Sequence, residues 1–154
     1  MSNNPYNQAK TTGELTKQVA SALIDRRLRL TTAESCTGGS LAAALCAEAD
    51  TAAFYDIGLI TFSDRAKQKL LGVNASTLEK YSAVSRQTVE EMSTGPDGGD
   101  DGTPAGTVWF AWNFRGEIDA HKTLFSGECQ DVVEKAVRYS LAMLMEKLPG
   151  WQSA

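Results

Sequence analysis

Thr31-Thr-Ala-Glu-Ser-Cys-Thr-Gly-Gly39 is the stretch whose reading decides the fold. Before it, Leu28 and Leu30 alternate with Arg29 and lead into two β-branched threonines, which predicts a short strand from Leu28 to Ala33. After it, Leu41, Ala44 and Leu45 recur at helical spacing in an alanine-rich segment. The turn from Glu34 to Gly39 joins the two. In α/β sheets, ligands bind at the carboxyl ends of strands. The first backbone N–H groups of the following helix are unpaired and favour a phosphate or a developing oxyanion. Hydroxyls at Ser35 and Thr37 stand where a nucleophile is useful, and the glycines let a substrate approach the backbone. The same residue types also cap helices with no further role. The local pattern alone leaves the two readings equal.

Outward from this turn, Thr12 reads as an N-cap for a helix over 12–27, and residues 1–10 are polar and expected to fray. Residues 57–62 form a buried-strand pattern. Ser63 then caps a helix through Lys67 and Leu71 that Gly72 closes. Short helices follow at 76–81 and from Ser85 through Met92. Residues 94–106 hold five glycines, two prolines and three aspartates and read as a loop. Strands at 107–112 and 118–125, split by a turn at 113–117, predict a hairpin. Val132 to Leu148 repeat apolar residues at three and four, and Pro149-Gly150 stops that last helix. Helices alternating with strands predict an α/β layered domain whose sheet is mostly parallel with one antiparallel member.

The chain has 154 residues, which predicts one domain. Fifteen basic against nineteen acidic side chains give a net charge of −4, which argues against nucleic acid and anionic membrane as partners. No apolar run is long enough to cross a membrane, and MSNNPYNQAK lacks the build of a signal peptide. A cytoplasmic protein is therefore expected. Three cysteines at Cys36, Cys46 and Cys129 lack metal-ligand spacing, and the single histidine, His121, excludes His-rich zinc sites. Hydrolytic chemistry thus calls for a base other than histidine. Lys67, if buried, has the lowered pKa such a base needs; otherwise it is a solvated lysine beside Lys69. Cys36 is a second possible nucleophile or a small buried thiol, and His121 reads as an ordinary strand residue.

These residues also carry a resemblance. TTAESCTGG, Ile60-Thr61-Phe62-Ser63, Lys67, Leu71-Gly72-Val73, Ala83-Val84-Ser85, Glu91-Met92, Gly95-Pro96-Asp97-Gly98-Gly99 and Pro104-Ala105-Gly106-Thr107-Val108 resemble the CinA C-terminal domain family in order and spacing. The likeness spans about residues 12 to 148. The family includes bacterial nicotinamide mononucleotide amidohydrolases. The resemblance implies a three-layer α/β/α sandwich with a mixed sheet, a homodimer, and hydrolysis of the nucleotide carboxamide without metal or cofactor. It places the nucleophile at Ser35 and the base at Lys67. It points to Glu34, Cys36, Thr37, Gly38, Gly39, Phe62, Thr94 and Gly95 as substrate-binding positions.

Four departures stand out against that pattern. Phe62 replaces a tyrosine, so a phenol is absent. Asp50-Thr51-Ala52-Ala53 stands where Gly-Ser-Ser is usual. Gly127-Glu128-Cys129-Gln130 offers no base for a substrate phosphate. Family members also carry a strand and a Gly-containing turn between the Glu-Met pair and the Gly-Pro-Asp-Gly-Gly loop, whereas here Met92 reaches Pro96 almost at once. Either Thr94 keeps the role of that turn's hydroxyl or the segment is missing. Residues left out of the chain would appear as a Cα break between Met92 and Pro96, since consecutive Cα atoms sit ~3.8 Å apart. These departures leave a second reading open, a non-catalytic nucleotide-binding or interaction module.

Overall fold

The computed structural model describes residues 10–94 and 104–151. The elements run α1 (Thr12–Asp25), β1 (Leu30–Glu34), α2 (Ser40–Cys46), α3 (Thr51–Phe54), β2 (Tyr55–Ile60), α4 (Asp64–Leu71), α5 (Ala75–Tyr81) and α6 (Arg86–Thr94). They continue with β3 (Thr107–Phe114), β4 (Glu117–Leu124) and α7 (Cys129–Lys147), which ends in a 3-10 turn at Leu148–Gly150.

Local signals set most boundaries. Thr11, not Thr12, caps α1: its hydroxyl accepts from the Glu14 amide at 3.2 Å while Glu14 accepts from the Thr11 amide at 2.7 Å. Ser63 caps α4, and Gly72 closes it with φ 71°. The Ser85 hydroxyl accepts from the Thr88 amide at 3.1 Å, opening α6. α7 starts at Cys129, three residues before the first apolar position of its stripe, because Glu128 and Asp131 form a reciprocal cap. The hairpin turns on Arg115 and Gly116, both at positive φ, the geometry that matches strand twist.

The sheet differs from the expected single mixed one. Among the described residues there are two two-stranded sheets. β1 and β2 pair in parallel, Thr31 to Ile57 through Glu34 to Ile60. β3 and β4 pair antiparallel, Thr107 to Leu124 through Phe114 to Glu117. Among the described residues no strand bonds the outer edge of β1 or of β3. Helix α6 runs unbroken from Met92 to Thr94; Gly95, Pro96 and most of the loop expected at 94–106 lie outside the described residues, as do residues 1–9.

α1, α2 and α7 pack together over the core, where Val19, Leu45, Phe54, Leu141 and Leu148 are fully buried. Phe110, Trp112, Phe125 and Tyr139 add an aromatic cluster between the hairpin and α7, with ring centroids 4.8–6.3 Å apart. At Gly58 a Cβ would lie 2.3 Å from the Tyr55 hydroxyl and 3.2 Å from Ala42, so only glycine lets α2 settle this close on β2. This contact places the helix after the decisive turn directly over the β1–β2 sheet.

Candidate active site

β1 ends at Glu34, and the chain turns through Ser35 to Gly39 before α2 begins. The Gly38 amide donates to the Ser35 carbonyl at 3.0 Å, and Gly38 and Gly39 both adopt left-handed backbone, φ 58° and 96°. Glu34 organises this turn. Its side chain is buried, and its two carboxylate oxygens accept from the Thr37 hydroxyl at 2.7 Å and from the Leu41 and Ala42 amides, both at 2.9 Å. A direct substrate contact was the expectation for Glu34. The geometry instead spends the carboxylate on the protein's own turn and on the first amides of α2. Those amides are therefore already occupied by the protein itself.

Lys67 is fully buried on α4, one turn past its cap. Its Nζ donates to the carbonyls of Thr61 at 2.8 Å and Phe62 at 3.1 Å. Burial holds its ammonium below the ordinary lysine value, with Asp64 and then Cys36 pulling the other way. Thr61 is buried too, and its amide donates to the Glu34 carbonyl at 2.8 Å. One chain of hydrogen bonds thus runs from Lys67 through Thr61 to the end of β1 and the residue before Ser35. The Ser35 hydroxyl makes no hydrogen bond to Lys67 here. A neutral amine has two N–H groups and one lone pair; with both N–H groups on carbonyls, the lone pair is what remains for a proton.

Cys36 neighbours Ser35 and is exposed as a residue. Loss of water around its thiol pushes the pKa up, with Cys129 and Glu34 adding to the effect. A raised pKa lowers the thiolate fraction that would make Cys36 reactive.

Glu34, Ser35, Cys36 and Thr37 line one end of a cavity of about 530 Å³. Phe62 does not line it: its ring points to solvent, 73% exposed, and only its carbonyl serves the site. Thr94 closes α6, and Gly95 lies outside the described residues. Glu128 is the cap of α7. His121 lies on β4 between Asp119 (3.0 Å) and the Tyr139 hydroxyl (3.3 Å), a structural place. Among the described residues no group of three or more His, Cys, Asp or Glu is placed to hold a metal ion. The sequence reading missed the roles of Thr61 and of the Glu34 carboxylate. Their only signal was membership of the two blocks that flank the catalytic candidates.

A strand–turn–helix with a serine in the turn, joined to a buried lysine through Thr61 and Glu34, marks the candidate site of this α/β protein. The comparisons with known proteins agree with that class. The CinA C-terminal domain model matches residues 12–95 and 93–148. The chain belongs to the CinA C-terminal domain family. It is 47% identical to Protein YdeJ of Escherichia coli strain K12 over 156 residues, covering 90% of this chain and 91% of that protein. It is 37% identical to the nicotinamide-nucleotide amidohydrolase PncC of the same strain over 153 residues, covering 87% and 93%. Its fold superposes on the crystal structure of the competence damage-inducible protein A from Klebsiella pneumoniae with a TM-score of 0.87 at 58% identity, covering 93% of this chain and all of that one. The alignment with YdeJ is longer than this chain, 156 positions against 154 residues of which 90% are used. YdeJ therefore carries residues that have no counterpart here.

Proposed function

We propose that the protein hydrolyses the carboxamide of nicotinamide mononucleotide, giving nicotinic acid mononucleotide and ammonia. The observation that carries this reading is the buried Lys67, its pKa lowered and its N–H groups tied to Thr61 and Phe62, on the element that flanks the Ser35 turn. The 37% identity to a protein named for this activity supports it.

In this reading Ser35 Oγ attacks the amide carbon, and its proton passes to the neutral Lys67 amine. The tetrahedral intermediate places its oxyanion toward the Cys36 and Thr37 amides. Its collapse breaks the C–N bond, and Lys67 returns the proton to the leaving nitrogen, which departs as ammonia. Water then attacks the Ser35 ester with Lys67 as base, releasing the carboxylate and restoring the serine. No residue of this sequence needs to act as a histidine base. A homodimer in the cytoplasm serving pyridine-nucleotide salvage belongs to the same proposal. So does a three-layer α/β/α arrangement in which the two small sheets are halves of one.

A non-catalytic nucleotide-binding module is the second reading. It is favoured by the outward Phe62 ring in the place of a phenol and by the absence of a Ser35–Lys67 hydrogen bond. Ammonia release from nicotinamide mononucleotide separates the two. Turnover by the wild-type protein that Ser35→Ala abolishes supports hydrolysis. Ligand binding without ammonia at high protein concentration supports the module.

A further inference from the structure

The cavity beside Ser35, about 530 Å³ in volume, carries little charge in its walls. Among the described residues that line it, Arg29 and Glu34 are the charged ones. Arg29 is half-exposed and paired with Asp56, Nε to Oδ1 at 2.7 Å. The Glu34 carboxylate holds the Leu41 and Ala42 amides, so the amides that open α2 already face a negative group. Lys67 gives its N–H groups to the Thr61 and Phe62 carbonyls. Lys147 pairs with Asp119 and Lys122 lies over the Trp109 ring, and neither lines the cavity. Hydroxyls of the wall are also turned to the protein: Thr37 donates to Glu34, Ser93 to the Glu90 carbonyl and Ser140 to the Val137 carbonyl. All fifteen Lys and Arg residues of the sequence fall within 10–94 and 104–151, so the residues outside the described ones add no base.

We infer that the site recognises the amide-bearing ring and its sugar, and takes the phosphate-free nucleoside in preference to the mononucleotide. This selectivity rests on the amidase reading of Ser35 and Lys67 and names the substrate class of that site. A nicotinamide ring bonded to ribose through its ring nitrogen is a cation, so the nucleoside is positively charged. A phosphate monoester adds about −1.5 to −2 at neutral pH and makes the mononucleotide an anion. Proteins meet such a group with Arg or Lys side chains or with unpaired helix amides. Here the one lining base is paired with Asp56, and the α2 amides are held by Glu34. Taking the phosphate out of water against these walls costs free energy with no ion pair to offset it. The net charge of −4 and the Glu34 carboxylate beside Ser35 repel the anion further and attract the cation. The chemistry is unchanged: water adds across the amide C–N bond by way of the Ser35 ester, and the products are the nucleoside carboxylate and ammonia.

The test compares nicotinamide riboside with nicotinamide mononucleotide on the intact protein. Ammonia release gives kcat/KM for each, and equilibrium dialysis on Ser35→Ala gives each Kd without turnover. A thermal-shift titration of wild type repeats the comparison without a variant. The nucleoside is expected to lead by at least ~10-fold, the scale of one unpaired polar group taken out of water, and its lead should shrink as salt screens the charges. A mononucleotide that binds as tightly as the nucleoside, or more tightly, overturns the inference, because its phosphate then has a partner. Binding of neither ligand overturns it as well. Ammonia from neither ligand, with the nucleoside still bound more tightly, ends the amidase reading and leaves the selectivity standing.

Discussion

The two sheets of this molecule are built for different ends. The β3–β4 hairpin has an eight-residue ladder, and its inner face is an aromatic cluster held against α7. The β1–β2 pair has five-residue contact and leaves large apolar side chains in the open, Ile57 at 54% and Ile60 at 52% exposed. Its buried residues are Tyr55 and the polar Thr32 and Glu34, with Thr61 and Lys67 buried beside them. Burying such groups costs free energy unless each finds a partner. Here each does: Thr32 meets the Tyr55 hydroxyl, Glu34 the Thr37 hydroxyl and the Leu41 and Ala42 amides, Thr61 the Glu34 carbonyl, and Lys67 the Thr61 and Phe62 carbonyls. One region supplies packing energy and the other spends some of it on placing reactive groups.

That contrast predicts opposite responses to substitution. Lys67→Met removes a buried amine from the polar region. Amide hydrolysis is expected to fall about 10²–10⁴-fold, the usual worth of a general base, while Tm stays level or rises. Because only the neutral amine accepts a proton, wild-type rate should climb as pH rises through the Lys67 pKa, which burial sets below the ordinary lysine value. A rate that is flat across the neutral-to-alkaline range would remove Lys67 from the role. Phe110→Ala does the reverse in the aromatic region. It should cost about 3–5 kcal/mol of stability by chemical denaturation, with little effect on the chemistry of whatever remains folded. Glu34→Gln sits between. Leu41 and Ala42 donate to different carboxylate oxygens, so the Gln NH2 group meets one of the two amides donor to donor, and a loss of about 2–3 kcal/mol is expected, together with weaker turnover. Hydrogen exchange at the α2 amides would report the loosened turn; exchange unchanged from wild type would deny Glu34 its positioning role.

The same contrast explains what could be read from the sequence. Elements closed by local signals were legible: Ser63 and Gly72 bracket α4, the apolar stripe marks α7, and turn residues flank the hairpin. Ser35 and Lys67 stood out through their blocks. What failed to show depends on distant partners. The Glu34 carboxylate is spent on amides seven and eight residues on, a pairing that no residue pattern announces. α3 is a single turn of four residues, too short for periodicity. The division of the sheet follows from which edges meet, and strand pairing is set by the whole fold rather than by the strand. Nor did the sequence show that residues of β1 and β3 would line one cavity.

The central claim is that the Ser35 hydroxyl is the attacking group, and intact-protein mass spectrometry tests it most directly. Protein quenched during turnover with nicotinamide mononucleotide should carry the acyl nucleotide on the peptide that contains Ser35, and Ser35→Ala should carry none. An adduct that persists in Ser35→Ala, or one that maps to Cys36, would contradict the account.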